Sequence, residues 1–124
     1  MRKLISALAF AAALSLPGVA SAAGELAAAE AALKRGDYAT VVQLLQVAGE
    51  AGNTIAAETL GDMLWYGESI YGPDVHRDPA AATEWFRRAA RQGSAYARYM
   101  LAEIDQEASQ ARTTSTVVAA QPTR

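Results

Sequence analysis

The sequence predicts an all-α protein, a short solenoid of antiparallel helix pairs followed by a flexible C-terminal tail. Three observations carry that expectation. Strand signals are nearly absent, because alanine dominates and β-branched residues are few. Helix-compatible stretches recur, opened by capping residues and closed by glycines. The stretch 37–64 also aligns with 78–105 when slid forward by 41 residues.

The opening segment stands apart from that fold. Arg2 and Lys3 precede the apolar run "LISALAFAAALSL", Pro17-Gly18 breaks it, and "ASA" at 20–22 supplies small residues for a signal peptidase. A membrane-spanning helix needs about 20 apolar residues, so this run is short for one. We expect a secretory leader over 1–22, cut after Ala22 or, alternatively, Ala23; an uncleaved anchor is the competing reading. Export places the mature chain in the periplasm or outside the cell, with no stable membrane insertion after cleavage. Without Arg2 and Lys3, 9 of the 11 Lys+Arg remain against 13 Asp+Glu, a formal charge of −4. That balance argues against nucleic acid, whose partners carry basic domains. With no cysteine there is no disulfide, thiolate nucleophile or lipidation site.

One domain is expected over 23–107. Its first element, 25–35, is an Ala/Glu-rich cap helix closing on Lys34-Arg35-Gly36, cations and a glycine at a helix end. The first helix pair occupies 37–66. Asp37 caps a helix whose apolar positions Val41, Leu44, Leu45 and Ala48 fall at helical spacing. Gly52-Asn53 breaks it, and Thr54 starts a helix with Ala56, Leu60, Met63 and Leu64 on one side, running to about Tyr66. "GESIYGPDVHR" at 67–77 is a loop by its glycines and proline. The second pair occupies 78–107. Asp78 is an N-cap and Pro79 a tolerated first helical residue; this helix runs to Gln92, Gly93 ends it, and Ser94 opens another through about Glu107. The remainder, 108–124, lacks large apolar groups at any period and is expected to be a disordered tail.

The self-comparison gives the pairs a common plan. Asp37 falls on Asp78, Ala48 on Ala89, Gly52 on Gly93, Ala56 on Ala97 and Leu60 on Leu101, while Leu44-Leu45 meets Trp85-Phe86. These are caps, helix stops and close-packing positions, where structure dictates residue type. A helix pair leaves one face of each helix uncovered, so neighbouring units must bury it for one another.

The run Ala56, Leu60-Gly61, Tyr66, Gly67, Asp78, Ala82, Trp85, Ala89-Ala90 and Gly93 resembles the Sel-one-like repeat, a relative of the tetratricopeptide repeat. The resemblance covers roughly 37–104 and implies right-handed stacking of helix pairs. It departs from the pattern where the usual short Gly-x-Gly-Val turn becomes "GESIYGPDVHR", and where Leu44 replaces the favoured tryptophan. The family implies a scaffold for protein–protein interaction, with equivalent outward positions of the first helices lining a groove. Some relatives have been linked to cell-wall metabolism, which implies muropeptide binding or regulation of a wall enzyme as an alternative.

At about 100° per residue, Glu84, Arg87, Arg88 and Arg91 share one face of their helix, opposite Ala82, Trp85, Phe86, Ala89 and Ala90. Two readings of the arginines stand. They are a solvated face with weak Glu84–Arg88 pairing, or with Gln43 and Gln46 from the equivalent helix they bind carboxylates of a partner peptide. Tyr71 and Ile70 in the loop likewise either fold back onto Trp65 or Trp85 or form a contact tip. Helix 94–107 would be the exposed end, with Tyr96, Met100 and Ile104 as candidates for a homodimer contact. His76 is the only histidine, and neither it nor Glu58/Asp62 or Glu103/Glu107 completes a metal or acid–base set. No phosphate loop, dinucleotide fingerprint or nucleophile elbow is present, so we expect no catalytic, cofactor or metal site. A small periplasmic hydrolase is the least favoured reading.

Overall fold

The computed structural model describes residues 17–120; residues 1–16, on which most of the expected leader falls, and the last four residues lie outside them. Among the described residues the chain is helical throughout, with no strand: α1 Pro17–Lys34, α2 Tyr38–Glu50, α3 Thr54–Tyr66, α4 Glu68–Tyr71, α5 Pro79–Arg91 and α6 Ala95–Ala119. Packing is sequential, α1 on α2, α2 on α3, α3 on α5 and α5 on α6.

Three of the joints between helices use the same chemistry. At the ends of α1, α2 and α5 the Gly36, Gly52 and Gly93 residues take φ of 71°, 97° and 97°. Only a residue without Cβ enters that region without strain. At each joint the next residue donates its N–H back to a buried alanine, Asp37 to Ala32, Asn53 to Ala48 and Ser94 to Ala89, at 3.0–3.1 Å. That residue then caps the following helix: the side chains of Asp37, Asn53 and Ser94 accept from the N–H of Thr40, Ala56 and Ala97. Asp78 caps α5 in the same way through the N–H of Ala81. The orphan donors and carbonyls of these ends are thus satisfied within a few residues of sequence.

Two clusters form the core. One gathers Ala29, Ala32, Val41, Leu45, Ala48, Ala56, Leu60, Met63 and Val75 from α1–α3 and the long loop. The other gathers Ala57, Ala82, Phe86, Ala89, Ala97 and Met100 from α3, α5 and α6. Leu64 and Trp85 touch both clusters and join them. Close approach between helices depends on two glycines. A Cβ on Gly61 would stand 2.7 Å from the Phe86 ring, and one on Gly49 2.8 Å from the Trp85 ring. Phe86 is the fully enclosed aromatic, and Trp85 is half-buried beside it. Leu101 is half-buried against the second cluster.

Several sequence expectations are corrected here. The first helix begins at Pro17, ahead of the expected start at 25, and crosses the expected cleavage position. The loop 67–77 contains the short helix α4, and Val75 from it is buried in the first cluster. Its ends are tied together: Asp78 N–H donates to the Leu64 carbonyl at 2.8 Å and Arg77 Nε–H to the Trp65 carbonyl at 2.8 Å. The segment 108–119, expected as a tail without structure, continues α6 with every residue exposed. No glycine or proline interrupts the chain from Ala95 to Ala119, so no local signal stops the helix. Hydroxyls of Ser109, Thr113, Thr114 and Thr116 bond back to carbonyls one turn earlier, so they remain satisfied inside it. Met100, expected at an exposed end, is buried, and Ile104 packs on the second cluster. Tyr96 is tied inward by its hydroxyl to Asp62, so these three side chains do not form a free outer face.

Candidate functional site

The outer face of α5 is where sequence and geometry meet. Ala81, Glu84, Trp85, Arg88 and Arg91 recur at helical spacing and line an open depression of ≈ 340 Å³. Trp85 lies against the backbone of α2 at Gly49, so its ring is anchored from below. The Arg88 guanidinium covers that ring 4.8 Å from its centroid and directs an N–H toward the Gly49 carbonyl at 3.5 Å. This stacking fixes a cation over an aromatic surface at the junction of α2 and α5.

The expected pairing of Glu84 with Arg88 is replaced by one between Glu84 and Arg87, one turn apart on the solvent side. The indole face attracts Arg88 instead. Arg91 has no ion-pair partner among the described residues, so its charge faces the depression. Gln43 and Gln46 are exposed on α2, and Gln46 donates its side-chain amide to Glu50 at 3.2 Å. Neither glutamine lines the hollow, which belongs to α5 alone.

Tyr71 is placed differently from either sequence reading. It packs edge-on against Tyr38 with ring centroids 5.6 Å apart, rather than on Trp65 or Trp85, and is half-buried. Burial pushes its hydroxyl pKa up. Ile70 is the exposed member of that pair. Trp65 carries Arg77 over its ring at 4.9 Å. His76 is exposed, with Nδ1 2.8 Å from Glu68 Oε1, and this hydrogen bond holds the Glu68 carboxyl below its ordinary range.

Sequence reasoning missed an apolar groove of ≈ 200 Å³ lined by Leu26, Ala29, Leu33, Val41, Leu45 and Ile55 from α1, α2 and α3. The exposure of Leu33 and Ile55, 49% and 65%, follows from their position on its rim. It also missed a ≈ 300 Å³ hollow where Trp65 and Pro79 meet Ile104, Ala108 and Ala111 at the base of the α6 extension. Among the described residues no three of His, Asp and Glu gather as metal ligands, and no helix is long and apolar enough to cross a membrane. No family model, curated protein sequence or solved structure matches this chain.

Proposed function

We propose that this chain is an exported Sel-like helical-repeat protein that acts as an interaction module, holding a carboxylate-bearing segment of another envelope protein on the outer face of α5. The observation that carries the reading is the pairing, in one open hollow, of the half-buried Trp85 with the cations of Arg88 and Arg91. An aromatic anchor beside arginine is the composition enriched where binding energy concentrates in protein interfaces. Arginine offers a planar fork matched to carboxylates.

The repeat reading rests on parallel detail. α2 and α5 are both 13 residues long, both capped by aspartate and both stopped by a glycine with φ 97°. Sequential packing of α1, α2, α3, α5 and α6 is the order a short solenoid of helix pairs requires. In such an array a rigid helical floor presents its side chains with little ordering cost on binding.

The test compares capture from periplasmic extract by the wild-type chain and by the Arg87→Glu/Arg88→Glu/Arg91→Glu variant, followed by titration of any partner lost. The expected result is loss of a partner whose bound segment is rich in aspartate or glutamate. An identical set of captured proteins overturns the reading.

A further inference from the structure

A second surface, of opposite sign, lies on the outward side of α3. Glu58, Asp62 and Tyr66 follow one another at four-residue spacing, which aligns them along one stripe of the helix. Tyr96 reaches across from α6 and donates its hydroxyl to Asp62 Oδ1 at 2.7 Å. Tyr71 stacks edge-on against Tyr38, and burial, reinforced by the charge of Asp62, pushes its hydroxyl pKa up. Tyr96 in turn senses Asp62, Tyr66 and Tyr71. Tyr66, Tyr71 and Tyr96 therefore lie around one carboxylate, with Tyr38 packed behind Tyr71.

The local chemistry of that carboxylate is incomplete. Burial raises its pKa, with Glu58 adding to the effect and the Tyr96 hydroxyl opposing it. Among the described residues neither Asp62 nor Glu58 has a lysine or arginine partner. Tyr66 and Tyr96 remain 42% and 41% exposed, so ring surface is open to a visitor. A half-buried anion fenced by accessible aromatic rings attracts a cation twice, by charge and by the ring quadrupole. A planar guanidinium satisfies both, stacking on a ring while donating to the carboxylate.

We propose that the tyrosine-fenced Asp62 on α3 is a binding site for an arginine side chain presented by a basic segment of a partner protein. This site is separate from the α5 hollow and opposite to it in charge, so it stands or falls independently of the reading above. It would give the molecule two recognition surfaces, one for acidic and one for basic sequence.

The test titrates the whole chain, followed by NMR of tyrosine rings and side-chain carboxyls, with the peptide Gly-Gly-Arg-Gly-Gly and its citrulline counterpart. Citrulline keeps the shape of arginine and removes its charge. The expected result is saturable shifts of the Asp62 carboxyl and the Tyr66 and Tyr96 rings with arginine only, weakened at least tenfold in Asp62→Asn. Because Asp62 also joins α3 to α6, Tyr66→Ala serves as a second variant that leaves that hydrogen bond in place, with the same weakening expected. The Arg87→Glu/Arg88→Glu/Arg91→Glu variant should bind the peptide as wild type does. Equal shifts with citrulline, or undiminished binding by Tyr66→Ala, overturn the proposal. So does concentration-dependent self-association that occupies these tyrosines and is abolished by the triple arginine variant, because the occupant would then be a second copy.

Discussion

At Gly61 an added Cβ would fall within 2.9 Å of three atoms of the Phe86 ring, in the most enclosed part of the molecule. Gly61→Ala is therefore expected to lose about 1–3 kcal/mol in urea unfolding, the usual cost of overpacking. Phe86→Ala removes the ring itself and should cost about 3–5 kcal/mol. Trp85→Ala should cost less than Phe86→Ala, since part of the indole already faces water. Asp37 offers a pH test. The Thr40 hydrogen bonds hold its carboxyl below the ordinary value of 3.8. A depressed carboxylate pKa adds stability above the unfolded value and loses it as pH falls through the folded one. Wild type should accordingly exceed Asp37→Asn above pH 3.8, with the gap closing in more acidic solution; equilibrium denaturation at stepped pH measures it. Caps such as Asp37, Asp78 and Ser94 were legible in the sequence because their partners lie three residues away. The Tyr96–Asp62 bond, the Gly49 notch beneath Trp85 and the Arg88 bond to the Gly49 carbonyl were not. Each joins residues more than 30 positions apart, and no local pattern marks them.

Among the elements, α6 departs most from expectation. Its first turns are held by Ala97 and Met100 in the core, whereas everything from Asp105 to Ala119 is exposed. The exposed part includes Thr113, Thr114, Thr116, Val117 and Val118, β-branched residues with modest helix propensity. Its hydrogen bonds thus open at small free-energy cost. Amide exchange should be much faster over 108–119 than over 97–104, and removing residues 109–124 should leave the urea midpoint nearly unchanged. A midpoint shift of several kcal/mol equivalent would show that the extension is packed. The sequence held the correct motive for ending the packed part near Glu107, namely the loss of large apolar residues. It lacked a stop signal, and helices end at stop signals as well as where burial ends. The long loop was misjudged for the converse reason. Its glycines and proline were visible, but Val75 reaching the core was not, since a single apolar residue carries no period.

On the scale of the molecule, two clusters are joined chiefly through Leu64 and Trp85. That arrangement ties unfolding of α1–α2 to that of α5–α6. Wild type should melt as one calorimetric transition, with van't Hoff and calorimetric enthalpies agreeing. Trp85→Ala should weaken the tie, so that the two enthalpies diverge or two transitions separate.

Both indoles of the chain lie beneath a guanidinium, Trp65 under Arg77 at the long loop and Trp85 under Arg88 beside α2. The protein therefore carries a built-in pair of optical reporters at two different junctions. A ligand that draws Arg88 away should change the emission of Trp85 alone, while loosening of the loop should change that of Trp65, so single Trp→Phe variants resolve binding from unfolding without any added dye.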